Sequence, residues 1–365
     1  MGQLEYHALR IAQAREANGK APLVVCMSDL NDQAAKTQAL HIVSNAPQET
    51  GKRPHVEAVN CVPPFSTLGA AHDLADCMEN VGTFPAGSIF VVTVDPHVGK
   101  NGGGKTNILN PRVACEYDDG TILIGPGRDY MRVGEFHGRG KLKKVIELDR
   151  EKLIKLGLTS RSHGDVFDGL SQFAPAAAAV LHGVPVEHLG RPLTPEAIPE
   201  LHIQRGTITM IEDGYGNIRL EVDENEFRHG DKIAVRDAAG KILTIASRTD
   251  AFHGKEGDVV IPNGSKKMIT DGSKNAVYLC AVRENIAETL AQKLGRPLVI
   301  GEQLDLDVAT PEEIDAFTGA EAIHQICLLA AKKARSVCQE VSERLGSAAA
   351  TSGWVRTLLK KALEK

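Results

Sequence analysis

The sequence predicts an α/β domain with a mostly parallel sheet, then an all-β, barrel-like domain, then a helical C-terminal extension. Three observations predict it. Apolar strand-like runs alternate with helical patterns as far as Gly190, the signature of an α/β layer. From Gly206 onward the runs are short, alternating, and separated by Gly, Asp and Asn, as in all-β domains. After about residue 308 the pattern becomes helical. A length of 365 residues exceeds one ordinary core and suits two domains with an appendage.

The opening MGQLEYHALRIAQAREANGK (1–20) is mixed in charge and has no apolar signal core, so a surface helix over 1–21 and a cytoplasmic protein are expected. LVVCMS (23–28) is an apolar strand ending at Asp29, and HVEAVNCV (55–62) is a second strand. TLGAAHDLADCMENVG (67–82) carries apolar residues at helical spacing. In FPAGSIFVVTVD (84–95) a turn leads into a strand apolar on both faces, as a central parallel strand would be. TILIG (121–125) and the Ala-rich helix 173–183 continue this α/β domain, taken as 22–192. The Pro-rich stretch 193–205 reads as a linker.

The β domain, 206–308, contains GTITMIEDGYGNIRLEV, DKIAVRD, KILTIASRT, GDVVIP and NAVYLCAV. The extension, 309–365, opens on a capping box, Thr310-Pro311-Glu312-Glu313, with Pro at the first helical position. Ile323, Cys327, Ala330, Ala334, Val337 and Val341 then alternate steps of four and three, a narrow seam for packing on another helix or on the body. A second short helix is expected from about Trp354.

Composition narrows the function classes. The balance of 42% hydrophobic and 24% charged residues is that of a soluble globular chain. A net charge of −5 with no long basic run gives a nucleic-acid partner no electrostatic support. The longest apolar runs, such as 88–94 and 173–181, are too short to span a membrane. The seven cysteines form no C-x-x-C pair and sit mostly in apolar runs, which predicts buried thiols and no metal site or disulfide.

GKNGGGKT (99–106) fits the phosphate-loop pattern letter for letter, but such a loop must open a helix whose N-terminus holds the phosphate. NILNPRVACEYDDGTILIG follows, an Asn-Pro turn and strand-like runs, so the segment is read as a Gly-rich loop. FHGRG (136–140) is likewise set aside, with His137 expected at the surface. More informative are two strands that end in acids, at Asp29 and Asp95, because ligands in open α/β sheets bind beyond the carboxyl ends of strands.

Several motifs, in order and spacing, resemble the S-adenosyl-L-methionine hydroxide adenosyltransferases, relatives of the fluorinase and chlorinase enzymes. FPAGSIFVVTVDPHVG (84–99) is similar to the family's F-P-x-G-T-V-x-V-x-V-V-D-P-G-V-G. MSDL (27–30), VPPFS (62–66), SHGDVFDGLSQFAP (162–175), DGYGN (213–217) and YLCAVRENIAETL (278–290) resemble further family segments, so the likeness spans roughly 22–308. The resemblance implies a trimer, or a dimer of trimers, with S-adenosyl-L-methionine bound between the α/β domain of one subunit and the β domain of the next. No cofactor or metal is implied. Asp29 would hold the ribose hydroxyls, Asp32 the methionine amine, and Phe65 would lie against the ribose; Gly164 belongs to the histidine motif of the site. Tyr215 would stack on adenine and Asn217 bond its edge, while Asp213 and Ser273 face the methionine end and Arg283 matches an arginine of the halogenase branch.

The sulfonium already provides a neutral leaving group, so the reaction needs a nucleophile placed in line with C5′. Water needs a proton acceptor as it attacks, and Asp95 with His163 nearby suits that task. A halide needs a dry pocket of donors with no adjacent negative charge; the halogenase branch lacks this Asp. Hydrolysis to adenosine and methionine is therefore the leading expectation, ahead of halide transfer and of non-catalytic binding of the same ligand. The chain departs from the pattern at His97, where the family has Gly, at Gly102, where it has Arg, and in GPGRD (125–129), which lacks the Asn of P-D-N-G.

Overall fold

A computed structural model of the chain describes residues 23–29, 32–48, 54–59, 62–80, 82–94, 111–159, 168–212, 214–249, 254–264 and 266–345. Side chains at 32–34, 59, 324, 325, 334, 337, 338 and 340–345 are outside the description. The expected helices at 1–21 and from Trp354, the loop 99–106, and Cys61 lie outside the described residues.

The first sheet holds β1 (Leu23–Ser28), β2 (His55–Val59), β3 (Ile89–Thr93), β4 (Arg112–Tyr117), β5 (Ile122–Pro126), β6 (Leu142–Leu148) and β7 (Gly190–Leu193), in the order β2-β1-β3-β5-β4-β6-β7. The pairs β1–β2, β1–β3 and β3–β5 are parallel. The pairs β4–β5, β4–β6 and β6–β7 are antiparallel, so the sheet is mixed and the expectation of a mostly parallel sheet is corrected. The reason is local. β4 and β5 are joined by Asp118-Asp119-Gly120-Thr121, whose glycine sits at φ +82°, and so short a connection can only return the chain antiparallel.

Strand alternation divides the sheet between two cores. Val25, Met27, Phe90, Val92 and Val94 face the helix Thr67–Glu79 and the second domain. Val24, Cys26, Ile89 and Val91 face the helices Asp32–Asn45 and Ala174–Leu181. A π-helical turn, Gly169–Phe173, leads into the latter helix. Ile198 and Leu201, within the stretch read as a linker, are buried in the first of these cores.

The second sheet comprises β8 (Ile208–Ile211), β9 (Ile218–Asp223), β10 (Lys232–Arg236), β11 (Ile242–Arg248), β12 (Val259–Ile261), β13 (Ala276–Ala281) and β14 (Asp305–Val308). Its order is β14-β10-β11-β12-β13-β9-β8. It curls into a half-barrel, and backbone bonds from Ile208 to Glu302, Leu304 to Gly206 and Gly301 to Ile208 bridge its two edges. The helix Ile286–Leu294 packs against it, an element the all-β reading did not contain.

The last helix, Pro311–Leu345, starts as expected. Thr310 Oγ1 accepts from Glu313 N at 3.2 Å and Glu313 Oε2 accepts from Thr310 N at 3.1 Å, a reciprocal capping box. Its first turns are tied to the half-barrel by Arg236–Glu313 and Lys293–Glu321. Beyond them Ile323, Cys327 and Ala330 are exposed, so this part of the seam does not pack on the body of the chain. Cys26, Cys77, Cys115 and Cys280 are buried thiols as expected, whereas Cys327 is not.

The domains meet across buried charge. Arg219 on β9, 1% exposed, donates through Nη1 to His72 Nε2 at 2.7 Å and Asp76 Oδ1 at 2.8 Å, and through Nη2 to the Lys267 carbonyl. Lys266 Nζ adds a second bond to Asp76 at 2.8 Å. His137 is not at the surface: it is buried, with its Nε2 3.0 Å from the Ile269 carbonyl. The second domain covers it, which the residues around FHGRG do not reveal.

Candidate functional site

The carboxyl ends of β1, β3 and β5 lie along one edge of the first sheet, as their parallel registers require. Asp29 follows β1 there and is buried. Its Oδ2 accepts from Phe65 N at 2.7 Å, tying the strand end to the turn Pro63–Phe65. Ser66 then caps the helix Thr67–Glu79 by accepting from Gly69 N at 2.9 Å. The Phe65 ring is left 58% exposed. Asp32 opens the next helix, so it stands close to Asp29 along the chain.

Below this edge Gln38, fully buried, donates from Nε2 to Thr93 Oγ1 at 2.6 Å, and its Oε1 has no partner. Thr93 ends β3 two residues before Asp95. The sequence reading did not single out Gln38; the only signal was its place on the helix after a strand-end acid. Asp168 opens the π turn and pairs with Arg112, at the start of β4, with Nε–Oδ2 at 2.8 Å. π turns recur at functional sites. β4 begins at Arg112, where a phosphate loop would need the body of a helix.

In the second domain, Glu212 and residues 214–217 lie between β8 and β9. Tyr215 is 70% exposed at its tip, and Asn217 Nδ2 donates to Glu212 Oε2 at 2.8 Å. Gly216 has φ +66°, and a Cβ on it would lie 1.7 Å from Asn285 Oδ1. That same oxygen accepts from Glu288 N at 3.0 Å and caps the helix Ile286–Leu294, while Ala287 N donates to the Gly216 carbonyl at 3.1 Å. The tyrosine turn is thus fastened to the segment carrying Arg283, which is exposed. Ser273 Oγ donates to Asp271 at 2.6 Å, in a turn pressed against Phe136 and His137 of the first domain.

The expected site residues therefore fall into two groups: Asp29, Asp32 and Phe65 on the first domain, and Tyr215, Asn217 and Arg283 on the second. The two groups are carried by different domains of the chain. Asp95, His163, Gly164 and Asp213 lie outside the described residues. Phe65, at φ +60°, and Arg283, at φ +59°, are the non-glycine residues in left-handed conformation among those described. Such strain persists where the surroundings enforce it and clusters at binding and catalytic sites. Glu212 and Asn285 are site-building residues that the motif reading passed over, although Asn285-x-x-Glu288 is itself a helix-start signature.

The model of the SAM hydroxide adenosyltransferase N-terminal domain matches residues 34–190, which recovers the resemblance read from the motifs and supports chemistry on S-adenosyl-L-methionine. Among solved structures, the chain is similar to an uncharacterized conserved protein from Thermotoga maritima, with 18% identity and a TM-score of 0.58. It is also similar to a conserved hypothetical protein from Thermus thermophilus, with 18% identity and a TM-score of 0.53. Each match covers 78% of this chain and 100% of the other, and at that identity the likeness is one of fold. No curated protein matches the sequence. Among the described residues no helix is long and apolar enough to cross a membrane.

Proposed function

We propose, on the premise that residues 34–190 are a SAM hydroxide adenosyltransferase N-terminal domain, that the chain hydrolyses S-adenosyl-L-methionine to adenosine and L-methionine. Water attacks the ribose C5′, the C5′–sulfur bond breaks, and its electron pair leaves with the neutral thioether of methionine. Asp95 takes the proton from water, and His163 orients the carboxylate or the water. Asp29 holds the ribose hydroxyls beside Phe65, Tyr215 stacks on adenine and Asn217 bonds its edge. Asp32, Asp213 and Ser273 face the methionine end, and Gly164 and Arg283 complete the set of substrate-binding residues. Substrate lies between the first domain of one subunit and the second domain of a neighbour in a trimer or a dimer of trimers.

One observation supports this most. The two strained residues, Phe65 and Arg283, both belong to the family-like motifs, and they come from opposite domains. An exposed Tyr215 beside a polar turn fits a surface that a neighbouring subunit and a nucleobase complete. Halide transfer is the second reading, but a carboxylate at Asp95 would repel the anion. The loss of the family's Asn at GPGRD favours a third, non-catalytic binding of the same ligand.

Incubation with S-adenosyl-L-methionine, with and without chloride, followed by chromatography separates these readings: adenosine supports hydrolysis, a 5′-halo-adenosine supports halide transfer, and neither product supports binding alone. Asp95→Asn keeps the shape and removes the base, so single-turnover adenosine formation should fall on the order of 10²–10⁴-fold. Affinity should change little, because the interaction lost belongs to the transition state. His163→Ala should slow the reaction less. An Asp95→Asn protein that binds and hydrolyses at the wild-type rate would falsify the catalytic assignment.

A further inference from the structure

The turn carrying Tyr215 is closed twice through its backbone: Glu212 N donates to the Asn217 carbonyl at 2.8 Å, and Gly216 N to the Glu212 carbonyl at 2.9 Å. This brings the two side chains face to face, with Asn217 Nδ2 donating to Glu212 Oε2 at 2.8 Å. A carboxylate has no hydrogen to give, so it accepts only the NH₂ end of the amide. The Asn217 amide therefore has one orientation, with Oδ1 turned away from Glu212. Asn217 is half-buried, and its bond to Glu212 runs through Nδ2, so Oδ1 is the end of the amide that this bond leaves for a donor. Tyr278 on β13 stands against the same pair. Burial first, and then the neighbouring Glu212 carboxylate, push its phenol upward, while the Asn217 side chain works the other way.

We propose that Glu212 is a positioning residue that sets base specificity: by presenting Asn217 Oδ1 as a fixed acceptor beside the Tyr215 ring, it makes the site select a purine bearing an exocyclic 6-amine over a 6-oxo purine. The proposal rests on the adenosyl reading above. A 6-amine donates to Oδ1. A 6-oxo group sets two acceptors against each other with no hydrogen between them, so a 6-oxo purine is repelled rather than merely unassisted, which is how specificity by exclusion works. A purine with no 6-substituent is neither helped nor repelled.

The test is equilibrium binding of adenosine, purine riboside and inosine to the full chain. The wild-type order is adenosine, then purine riboside, then inosine, with adenosine about 10- to 100-fold tighter than inosine, the effect of one hydrogen bond and one unmatched polar contact. In Glu212→Gln the facing amide can offer either end, Asn217 can turn over, and the adenosine-to-inosine ratio falls to within about threefold by the same reasoning. A general loosening of the turn weakens all three nucleosides together and leaves their order unchanged; that outcome in Glu212→Gln overturns the proposal. If that variant does not fold, the wild-type order alone decides: inosine binding as well as purine riboside overturns it. If adenosine does not bind the wild type at all, the nucleoside reading of the site fails and the proposal with it.

Discussion

Replacing Gly216 by Ala tests the joint between the tyrosine turn and the helix Ile286–Leu294. The new Cβ meets Asn285 Oδ1 at 1.7 Å and Cγ at 2.2 Å, so the asparagine side chain must leave. Its departure removes the cap on Glu288 N, a loss of about 1 kcal/mol. The φ of +66° adds about 1–2 kcal/mol for a residue with a Cβ. Together these give about 2–3 kcal/mol, against a domain stability of about 5–15 kcal/mol. With a urea slope of about 1–3 kcal/mol per molar, the unfolding midpoint drops by about 0.7–3 M. Asn285→Ala alone costs about 1 kcal/mol, the cap only. Because Gly216→Ala has already expelled that cap, the double variant should be no less stable than Gly216→Ala by itself. Adenosine affinity should fall with Gly216→Ala, since Tyr215 and Asn217 flank the altered residue. Full additivity in the double variant would show that Asn285 keeps its cap and that the joint is not as described.

Further outcomes follow from the domain interface and from the divided site. Asp76 is buried, which alone would raise its carboxyl, but Arg219, His72 and Lys266 outweigh burial and hold it well below the usual range. A depressed carboxyl contributes stability above its unfolded value, near about pH 4, and loses it as pH falls further. Asp76→Asn should cost about 3–5 kcal/mol at pH 7 by stranding Arg219. In urea titrations the gap to the wild type should close progressively below about pH 4, and a gap that does not change with pH counts against the assignment. For the shared site, mixing inactive Asp29→Ala chains with inactive Asn217→Ala chains should restore part of the activity through hybrid sites. No recovery under proven subunit exchange contradicts a site between subunits.

Where a single element carried a strong pattern, its position was legible in the sequence. LVVCMS is β1 to the residue, and the capping box at Thr310 formed as its spacing demands. The helix Asp32–Asn45 was not legible, because its polar and small residues show no broad apolar stripe; Ala35, Gln38 and Ile42 are buried by tertiary packing, on the sheet beneath and beside the helix Ala174–Leu181. The reversal at β4 and β5 was set by a four-residue turn that alternation of strands does not weigh. The burial of His137 depends on Ile269, 132 residues away, and no local reading reaches that far. In the site, motifs pointed to the residues proposed to face a ligand, such as Phe65, Tyr215 and Asn217. They did not find Glu212, Asn285 or Gln38, whose contribution lies in holding neighbours and becomes visible only with distances.

Arg219 also bears on modularity. The guanidinium belongs to the second domain, while Asp76 and His72, which receive it, belong to the first. Neither domain balances by itself the charge it keeps out of water, so the natural seam in the chain is not a place where it can be cut. A fragment ending before residue 206 would retain Asp76 in a helix built to be covered, without the arginine that covers it. A hybrid that joined this first domain to a foreign half-barrel would need an arginine delivered to the same point. The two domains are separate in architecture and one unit in inheritance.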